Sequence, residues 1–208
     1  MSTALKPVKK IYTYADYLEW DENVRAEIIN GAVYMMSPPL TIHQRISMRL
    51  SQRIAYFLEG KTCEVFAAPF GVRLFPLEDK SDNTVVEPDI VVVCDPSKID
   101  EHGCNGAPDL VIEILSPSNS YRERFIKFNL YLKAGVREYW VVSPENKGIE
   151  VHVFDEGRYF THTYRIDDGD ARDGERALEV IPVSVLSGLK IDLKDIFHDT
   201  HYSVSVRP

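Results

Sequence analysis

Runs of apolar residues separated by turn residues predict short strands around two longer helices. Residues 26–36 (AEIINGAVYMM) carry the clearest hairpin signal, because Asn30 and Gly31 both accept the positive φ angles of a two-residue turn. In residues 41–60, apolar side chains recur every three or four positions before a glycine, which predicts a long amphipathic helix. A short helix is predicted over residues 14–20.

The middle of the chain contains two strongly apolar segments. Residues 85–93 (VVEPDIVVV) and 109–115 (DLVIEIL) are rich in branched side chains, as central strands are. Residues 95–108 between them are predicted to form a loop, and loops of this length are more often functional than idle. Two shorter strand-like segments, CEVFAAPF and GVRLF, precede this region.

A second amphipathic helix is predicted over residues 118–135. Ser120 and Glu123 have the spacing of a capping box, and a glycine ends the helix. On a helical wheel, Lys127 lies on the flank of the apolar face. The predicted core face consists of Tyr121, Phe125, Phe128 and Leu132.

Strands dominate the rest of the chain. EYWVVS, GIEVHVF and YFTHTYRI are predicted strands, and a polar loop, a final strand and short helical turns follow them. We therefore predict one α/β domain over residues 1–208, with residues 1–10 flexible. Its mixed central sheet is flanked by two main helices, with hairpins near the N- and C-terminal ends.

Composition narrows the possible classes of protein. The chain has 208 residues, 44% hydrophobic and 27% charged, and a formal net charge of −8, which excludes a disordered, collagen-like or coiled-coil protein. This charge argues against a general nucleic-acid binder, although a local basic cleft is compatible with it. No apolar run approaches the ~20 residues of a membrane-spanning helix, and the N-terminus lacks the apolar core of a signal peptide. We therefore expect a cytoplasmic protein without membrane contact.

The three cysteines, Cys63, Cys94 and Cys104, include no CxxC pair. We predict free buried thiols in a reducing compartment. The spacing of Cys94, His102 and Cys104 matches no usual zinc site, and a fourth ligand is missing.

Candidate chemistry rests on acids inside apolar strands, because GxGxxG, P-loop, GxSxG and HExxH motifs are absent. If the strands that contain Asp89 and Glu113 are antiparallel neighbours, the two carboxylates converge, and a divalent cation is their natural counter-ion. Alternatively, Asp89 caps the turn after Pro88 and Glu113 pairs with an arginine. Lys127 could reach the acids from the following helix, or it could be a solvated surface lysine.

Several segments resemble a known family. EPDIVVV, PDLVIEILSPS, KFNLYLKAGVREYWVVSP and SGLKIDLKDIF resemble the Uma-type restriction endonuclease family, which is assigned to the PD-(D/E)XK nuclease superfamily. The resemblance extends over nearly the whole chain, from the EIINGAVYMMSPP hairpin to IDLKDIF. It implies a restriction-endonuclease-like α/β core.

The resemblance also implies a set of site residues. Asp89 matches the first acid of the superfamily motif and Glu113 the second. The motif lysine would fall on Leu115, so Lys127 in the following helix is the matching residue. Glu27 resembles an additional acid from an early element, or it is an edge-strand charge that discourages aggregation. Secondary candidates are Tyr131 and Asp109.

The implied activity is Mg²⁺-dependent hydrolysis of DNA phosphodiester bonds, with Mn²⁺ as a possible substitute. Asp89 and Glu113 would hold the metal, and Lys127 would orient or deprotonate the attacking water or stabilise the developing charge. Phosphate contacts are expected from basic side chains on the two helices, unless these are merely solvated. The candidates are Arg45, Arg49, Arg53 and Arg124.

Two other classes of function compete with this one. The first is a non-catalytic binding or regulatory module that retains the nuclease fold. The second is a metal-dependent hydrolase of another phosphate ester. A homodimer is expected for the nuclease, because cutting both strands of a duplex needs two sites.

Overall fold

Fourteen strands and four α-helices make up the part of the chain that the computed structural model describes, which is residues 11–21, 23–116, 121–166 and 178–198. The helices are α1 (Tyr14–Tyr17), α2 (Thr41–Leu58), α3 (Tyr121–Ala134) and α4 (Leu193–Phe197). The first strands are β1 (Ala26–Ile29), β2 (Ala32–Met35), β3 (Glu64–Ala67), β4 (Gly71–Arg73), β5 (Val85–Val86), β6 (Ile90–Val93) and β7 (Ile99–Asp100). The remaining strands are β8 (Gly103–Asn105), β9 (Leu110–Ile114), β10 (Glu138–Ser143), β11 (Gly148–Asp155), β12 (Arg158–Arg165), β13 (Val180–Pro182) and β14 (Lys190–Asp192).

The strands form two six-stranded sheets and a two-stranded ribbon. Sheet A has the order β2-β1-β5-β4-β8-β7, sheet B has the order β12-β11-β10-β9-β6-β3, and β13 pairs with β14. Both large sheets are mixed, because β4 runs parallel to β8 and β9 runs parallel to β10. The helix α3 connects β9 to β10, as the crossover between two parallel strands requires. The structure therefore has two mixed sheets where the sequence predicted one central sheet.

The segment predicted as one strand over residues 85–93 contributes to both sheets. Its first part, β5, pairs in sheet A, and its second part, β6, pairs in sheet B. Glu87, Pro88 and Asp89 lie between the two parts. Proline has no N–H to donate to a strand ladder, so the segment breaks at this point.

Sheet B separates two hydrophobic cores. Along β6, Ile90 and Val92 pack with α2, α4 and the β13–β14 ribbon on one face. Val91 and Val93 pack with sheet A and α3 on the other face. This two-sided burial explains why β6 and β9 are continuous apolar runs in the sequence.

The hairpin and the long helix were predicted correctly. Asn30 and Gly31 both have positive φ angles between β1 and β2, and α2 buries the apolar positions of its predicted face. The helix α1 is shorter than predicted and ends at Tyr17. The predicted capping box of α3 and the polar loop over residues 167–176 lie outside the described residues.

The loop prediction for residues 95–108 was wrong. This segment contains a 3₁₀ turn and the short strands β7 and β8, which extend the edge of sheet A. Gly103 has a φ of 140°, and a β-carbon there would collide with the Gly71 carbonyl oxygen. Such short polar strands carry no hydrophobic period, so the sequence pattern could not reveal them.

The predicted core face of α3 was also wrong in part. Phe125 is 59% exposed, whereas Leu130 and Tyr131 are buried. The helix is rotated so that Lys127 points inward, where it finds charged partners. A helical wheel places charged residues outside, and therefore cannot anticipate a buried ion pair. The predicted core position Tyr121 lies outside the described side chains.

The prediction of three free thiols was wrong for two cysteines. Cys63 and Cys94 form a disulfide, with their Cα atoms 3.9 Å apart. The antiparallel pairing of β3 with β6 places Glu64 opposite Val93. Cys63 precedes Glu64 and Cys94 follows Val93, so the two cysteines occupy the next pair of opposite positions. Cys104 remains a buried free thiol, and burial raises its pKa to about 11.

Among the described helices, none combines the length and the apolar character that crossing a bilayer requires.

Candidate functional site

The two acids predicted to converge lie on neighbouring antiparallel strands. Ile90 of β6 is opposite Ile112 of β9, so Asp89 and Glu113, one position further along their strands, face each other. Asp89 Oδ2 accepts a hydrogen bond of 2.6 Å from the backbone N–H of Ile114. The structure therefore brings the acid pair together at one end of the ladder between β6 and β9.

Lys127 joins this pair to a third acid. Its Nζ atom lies 2.9 Å from Glu113 Oε1 and 2.8 Å from Glu27 Oε1. The side chains of Lys127 and Glu113 are 15% and 13% exposed, and Glu27 is more deeply buried. Glu27 belongs to β1 of sheet A, whereas Glu113 belongs to β9 of sheet B. The solvated-lysine and edge-charge interpretations are therefore wrong, and the three side chains form a buried charged cluster.

Tyr131 adds a second donor to Glu113. Its hydroxyl donates a 2.6 Å hydrogen bond to Glu113 Oε1, the same oxygen that Lys127 contacts. Burial, reinforced by the Glu113 charge, raises the pKa of Tyr131 well above its ordinary value, so the phenol keeps its proton. Because Tyr131 lies one helical turn after Lys127, α3 presents both donors on one face.

Burial and ion pairing together determine which groups of the site carry a charge. Burial raises the pKa of Glu113 to about 7, against the opposing charge of Lys127 and with reinforcement from Asp89 and Glu27. Burial alone would lower the pKa of Lys127. The attraction of Glu113 and Glu27 outweighs this effect and raises the pKa above its ordinary value. Lys127 is therefore a permanent cation, whereas Glu113 titrates near neutral pH when no metal is bound.

Titration of Glu113 predicts how the stability of the metal-free protein depends on pH. Its pKa rises from 4.5 to about 7 on folding, so the stabilisation is fully present below about pH 4.5 and is lost as the pH rises through 7. In a chelating buffer at pH 8, we expect Glu113→Gln to be more stable than wild type by about 1–3 kcal/mol. Urea unfolding at pH 5 and pH 8 measures this difference, and a variant that gains nothing at pH 8 relative to pH 5 would contradict it.

His43 also lies close to the acids. It is the third residue of α2 and is 9% exposed, with Nε2 only 3.1 Å from Asp89 Oδ2. Its Nδ1 atom has no hydrogen-bond partner within the described part of the chain. The sequence signal for this contact is weak, because a histidine near a helix start is usually a local feature.

Glu87 was missed by sequence analysis, although it precedes Pro88 directly. It is buried and accepts a 2.9 Å hydrogen bond from the Tyr17 hydroxyl, while its backbone N–H donates to Glu27 Oε1. Burial and the Glu87 charge raise the pKa of Tyr17. Glu87 therefore holds Glu27 through its backbone N–H and connects α1 to the site through its side chain.

The predicted phosphate-contacting arginines have different surroundings. Arg49 donates to the carbonyl oxygens of Ile196 and His198, and Arg53 forms a 2.9 Å ion pair with Asp195. These contacts attach α2 to the C-terminal helix α4, so they do not favour a phosphate role for either arginine. Arg45 is exposed on α2.

Arg124 of α3 and Asp109 beside β9 are the two remaining candidates from the sequence. The side chain of Arg124 lies outside the described residues. Asp109 accepts hydrogen bonds from the backbone N–H of Cys94 and from Arg137, at the end of β9 opposite Glu113. Asp109 therefore supports the sheet and does not belong to the site.

The donor set at Asp89 and Glu113 suits a hard divalent cation. Neither Asp89 Oδ1 nor Glu113 Oε2 has a hydrogen-bond donor among the described residues. In those ranges, no group of three or more His, Cys, Asp or Glu side chains is arranged as a metal cage. Mg²⁺ needs no such cage, because one or two carboxylates usually hold it together with water and substrate phosphates. The site therefore fits Mg²⁺ better than a metal that demands four protein ligands.

Comparisons with known proteins identify the family and the fold of the chain. The family Uma2, described as "Putative restriction endonuclease", matches residues 14–190. The uncharacterised protein slr1290 of Synechocystis sp. is 30% identical over 157 residues, which cover 74% of this chain and 80% of that protein. A crystal structure described as a "putative nuclease belonging to DUF820", from Anabaena variabilis, has a TM-score of 0.67 and 23% identity, and the match covers 89% of this chain and 97% of that one. This likeness shows the predicted α/β fold of restriction-endonuclease type, and the family match over most of the length shows that the chain belongs to the Uma2 family.

Proposed function

We propose that this chain is a Mg²⁺-dependent endonuclease that hydrolyses DNA phosphodiester bonds. Asp89 and Glu113 are the proposed metal ligands. The observation that carries the proposal is the position of Lys127, whose Nζ atom contacts Glu113 and Glu27 beside the facing pair of acids. The choice of DNA as the substrate rests on the description of the family as restriction endonucleases.

The residues of the site have separate tasks in this mechanism. Asp89 and Glu113 would hold Mg²⁺, and the bound ion would supply a Lewis acid that lowers the pKa of water. Lys127 uses two of its three hydrogens on Glu113 and Glu27, which leaves the third for the attacking water or a phosphate oxygen. Because its pKa is raised, Lys127 is a poor base. We therefore assign it to orienting the water and stabilising the negative charge that develops on the phosphate.

The cost of the cluster argues against a passive module. Three carboxylates and one ammonium lie close together with little exposure, and the carboxylates outnumber the cation. Burying charges is usually less favourable than packing apolar residues of similar volume, so such a cluster is poor structural material. A strongly perturbed pKa, such as that of Glu113, is typical of a functional site.

Cleavage of supercoiled plasmid with Mg²⁺ or Mn²⁺ tests the proposal. We expect Asp89→Asn to cleave at least about 100-fold more slowly than wild type, because the metal loses one charged ligand. Asp155→Asn makes the same change at an exposed hairpin turn and should cleave normally. Equal cleavage by wild type and Asp89→Asn would contradict the assigned site.

A phosphate ester other than DNA is the second candidate substrate. Binding of Mn²⁺ through Asp89, with hydrolysis of a small phosphodiester but not of DNA, would favour this second substrate. Salt-dependent DNA affinity would favour the nuclease, because contacts to phosphates release counter-ions. We also propose a homodimer for cutting both strands, and light scattering coupled to gel filtration measures the mass in solution.

A further inference from the structure

We propose that His43 is a positioning residue that holds Asp89 so that only one carboxylate oxygen faces the metal. The inference rests on the proposed metal site and adds to it a residue outside the Asp, Glu and Lys set.

One oxygen of Asp89 contacts two nitrogen atoms. Asp89 Oδ2 lies 2.6 Å from the backbone nitrogen of Ile114 and 3.1 Å from His43 Nε2. The first contact fixes the carboxylate to β9, and the second fixes it to the start of α2. These two contacts oppose rotation of the carboxylate, and Oδ1 remains available for a cation.

The two ring nitrogens of His43 indicate a donor. An ionised carboxylate offers only lone pairs, so a favourable contact of Nε2 with Asp89 at 3.1 Å requires the hydrogen to be on Nε2. In the neutral ring, Nδ1 then carries a lone pair, and it has no partner among the described residues. A buried unpaired acceptor is tolerated more often than a buried unpaired N–H.

Direct coordination by His43 fits these contacts less well. A metal on Nε2 would require the hydrogen to move to Nδ1, where no described residue accepts it. Metal-bound imidazoles almost always donate through their second nitrogen to a carboxylate, a carbonyl or water. The surroundings of Nδ1 therefore favour a positioning role.

Glu113 shows the same arrangement on the other side of the site. Its Oε1 atom accepts from Lys127 and Tyr131, and its Oε2 atom has no donor within the described ranges. Each acid thus has one oxygen held by two donors and one left for a cation. His43 is to Asp89 what Tyr131 is to Glu113, and both donors prepare the ligands before the metal arrives.

Mn²⁺ affinity, measured by electron paramagnetic resonance without DNA, tests the inference. We expect His43→Leu to weaken Mn²⁺ binding about 10- to 100-fold, the usual effect of removing a group that orients a ligand. His43→Gln should restore most of the affinity, because its amide N–H can replace Nε2. His162→Leu, the same change at an exposed position of β12, should bind Mn²⁺ normally. His43→Ala serves as a second variant without a donor, and thermal unfolding confirms that each protein is folded.

The possible outcomes separate this inference from the proposed function. No Mn²⁺ binding by wild type, or binding that survives Asp89→Asn, would overturn both. Binding that is lost in Asp89→Asn but unchanged in His43→Leu and His43→Ala would overturn the role of His43 and leave the metal site intact. His43→Gln as weak as His43→Leu would replace the donor role by direct coordination through the imidazole.

Discussion

The Lys127→Met variant is expected to lose about 3–5 kcal/mol of unfolding free energy and to cleave about 100- to 10,000-fold more slowly. The stability loss follows from the burial of Glu27 and Glu113, which would lose the cation that contacts both. The activity loss follows from the missing charge at the developing negative phosphate. Urea unfolding at pH 8 measures the first effect, and plasmid cleavage well below the unfolding temperature measures the second.

Two further variants identify the cause of this loss. Lys133→Met makes the same change at an exposed position of α3, where we expect an effect within about 0.5 kcal/mol. Adding Glu27→Gln to Lys127→Met removes one of the two acids that lost the cation and should recover part of the stability, but no cleavage. If Lys127→Met were no less stable than Lys133→Met, the buried ion pairs would not exist in solution.

Reduction of the Cys63–Cys94 disulfide is expected to lower the unfolding free energy by about 3–4 kcal/mol. The bridge joins residues 31 apart in the sequence, and closing a loop of this length restricts the unfolded chain by about that amount. Urea unfolding with and without a thiol reductant measures the change. The dependence of the free energy on urea should also become steeper after reduction, because the unfolded chain then exposes more surface.

Thiol titration provides the matching chemical measurement. In denaturant without reductant, we expect one reactive thiol per chain, from Cys104, and three after reduction. The double variant Cys63→Ala/Cys94→Ala should lose most of its sensitivity to reductant, since it has no bridge to break. Three reactive thiols in the unreduced protein, purified without reductant, would show that the bridge does not form in solution.

Local patterns were sufficient to predict part of the site. Because successive side chains of a strand point to opposite faces, Glu113 lies on the same face of β9 as Val111. The convergence with Asp89 followed from assuming that two apolar segments pair antiparallel. Lys127 was different, because its position on the flank allowed either contact with the acids or solvation, and only the family resemblance decided between them.

Non-local pairing explains what the sequence could not reveal. Cys63 and Cys94 meet because β3 pairs with β6, and no spacing rule for cysteines encodes that register. His43 reaches Asp89 only after α2 packs across sheet B, so its role depends on tertiary structure. In each case the missing information was which distant segments become neighbours.

The two counter-charges of Lys127 come from different sheets, and this arrangement ties the site to completion of folding. Glu27 is carried by sheet A and Glu113 by sheet B, while the short segment of Glu87, Pro88 and Asp89 passes from one sheet to the other. A chain emerging from the ribosome, or one opened by local unfolding, can form either sheet without bringing these groups together. If the protein cuts DNA, its cutting capacity is therefore confined to fully folded molecules, and immature or damaged copies are harmless to the genome that encodes them.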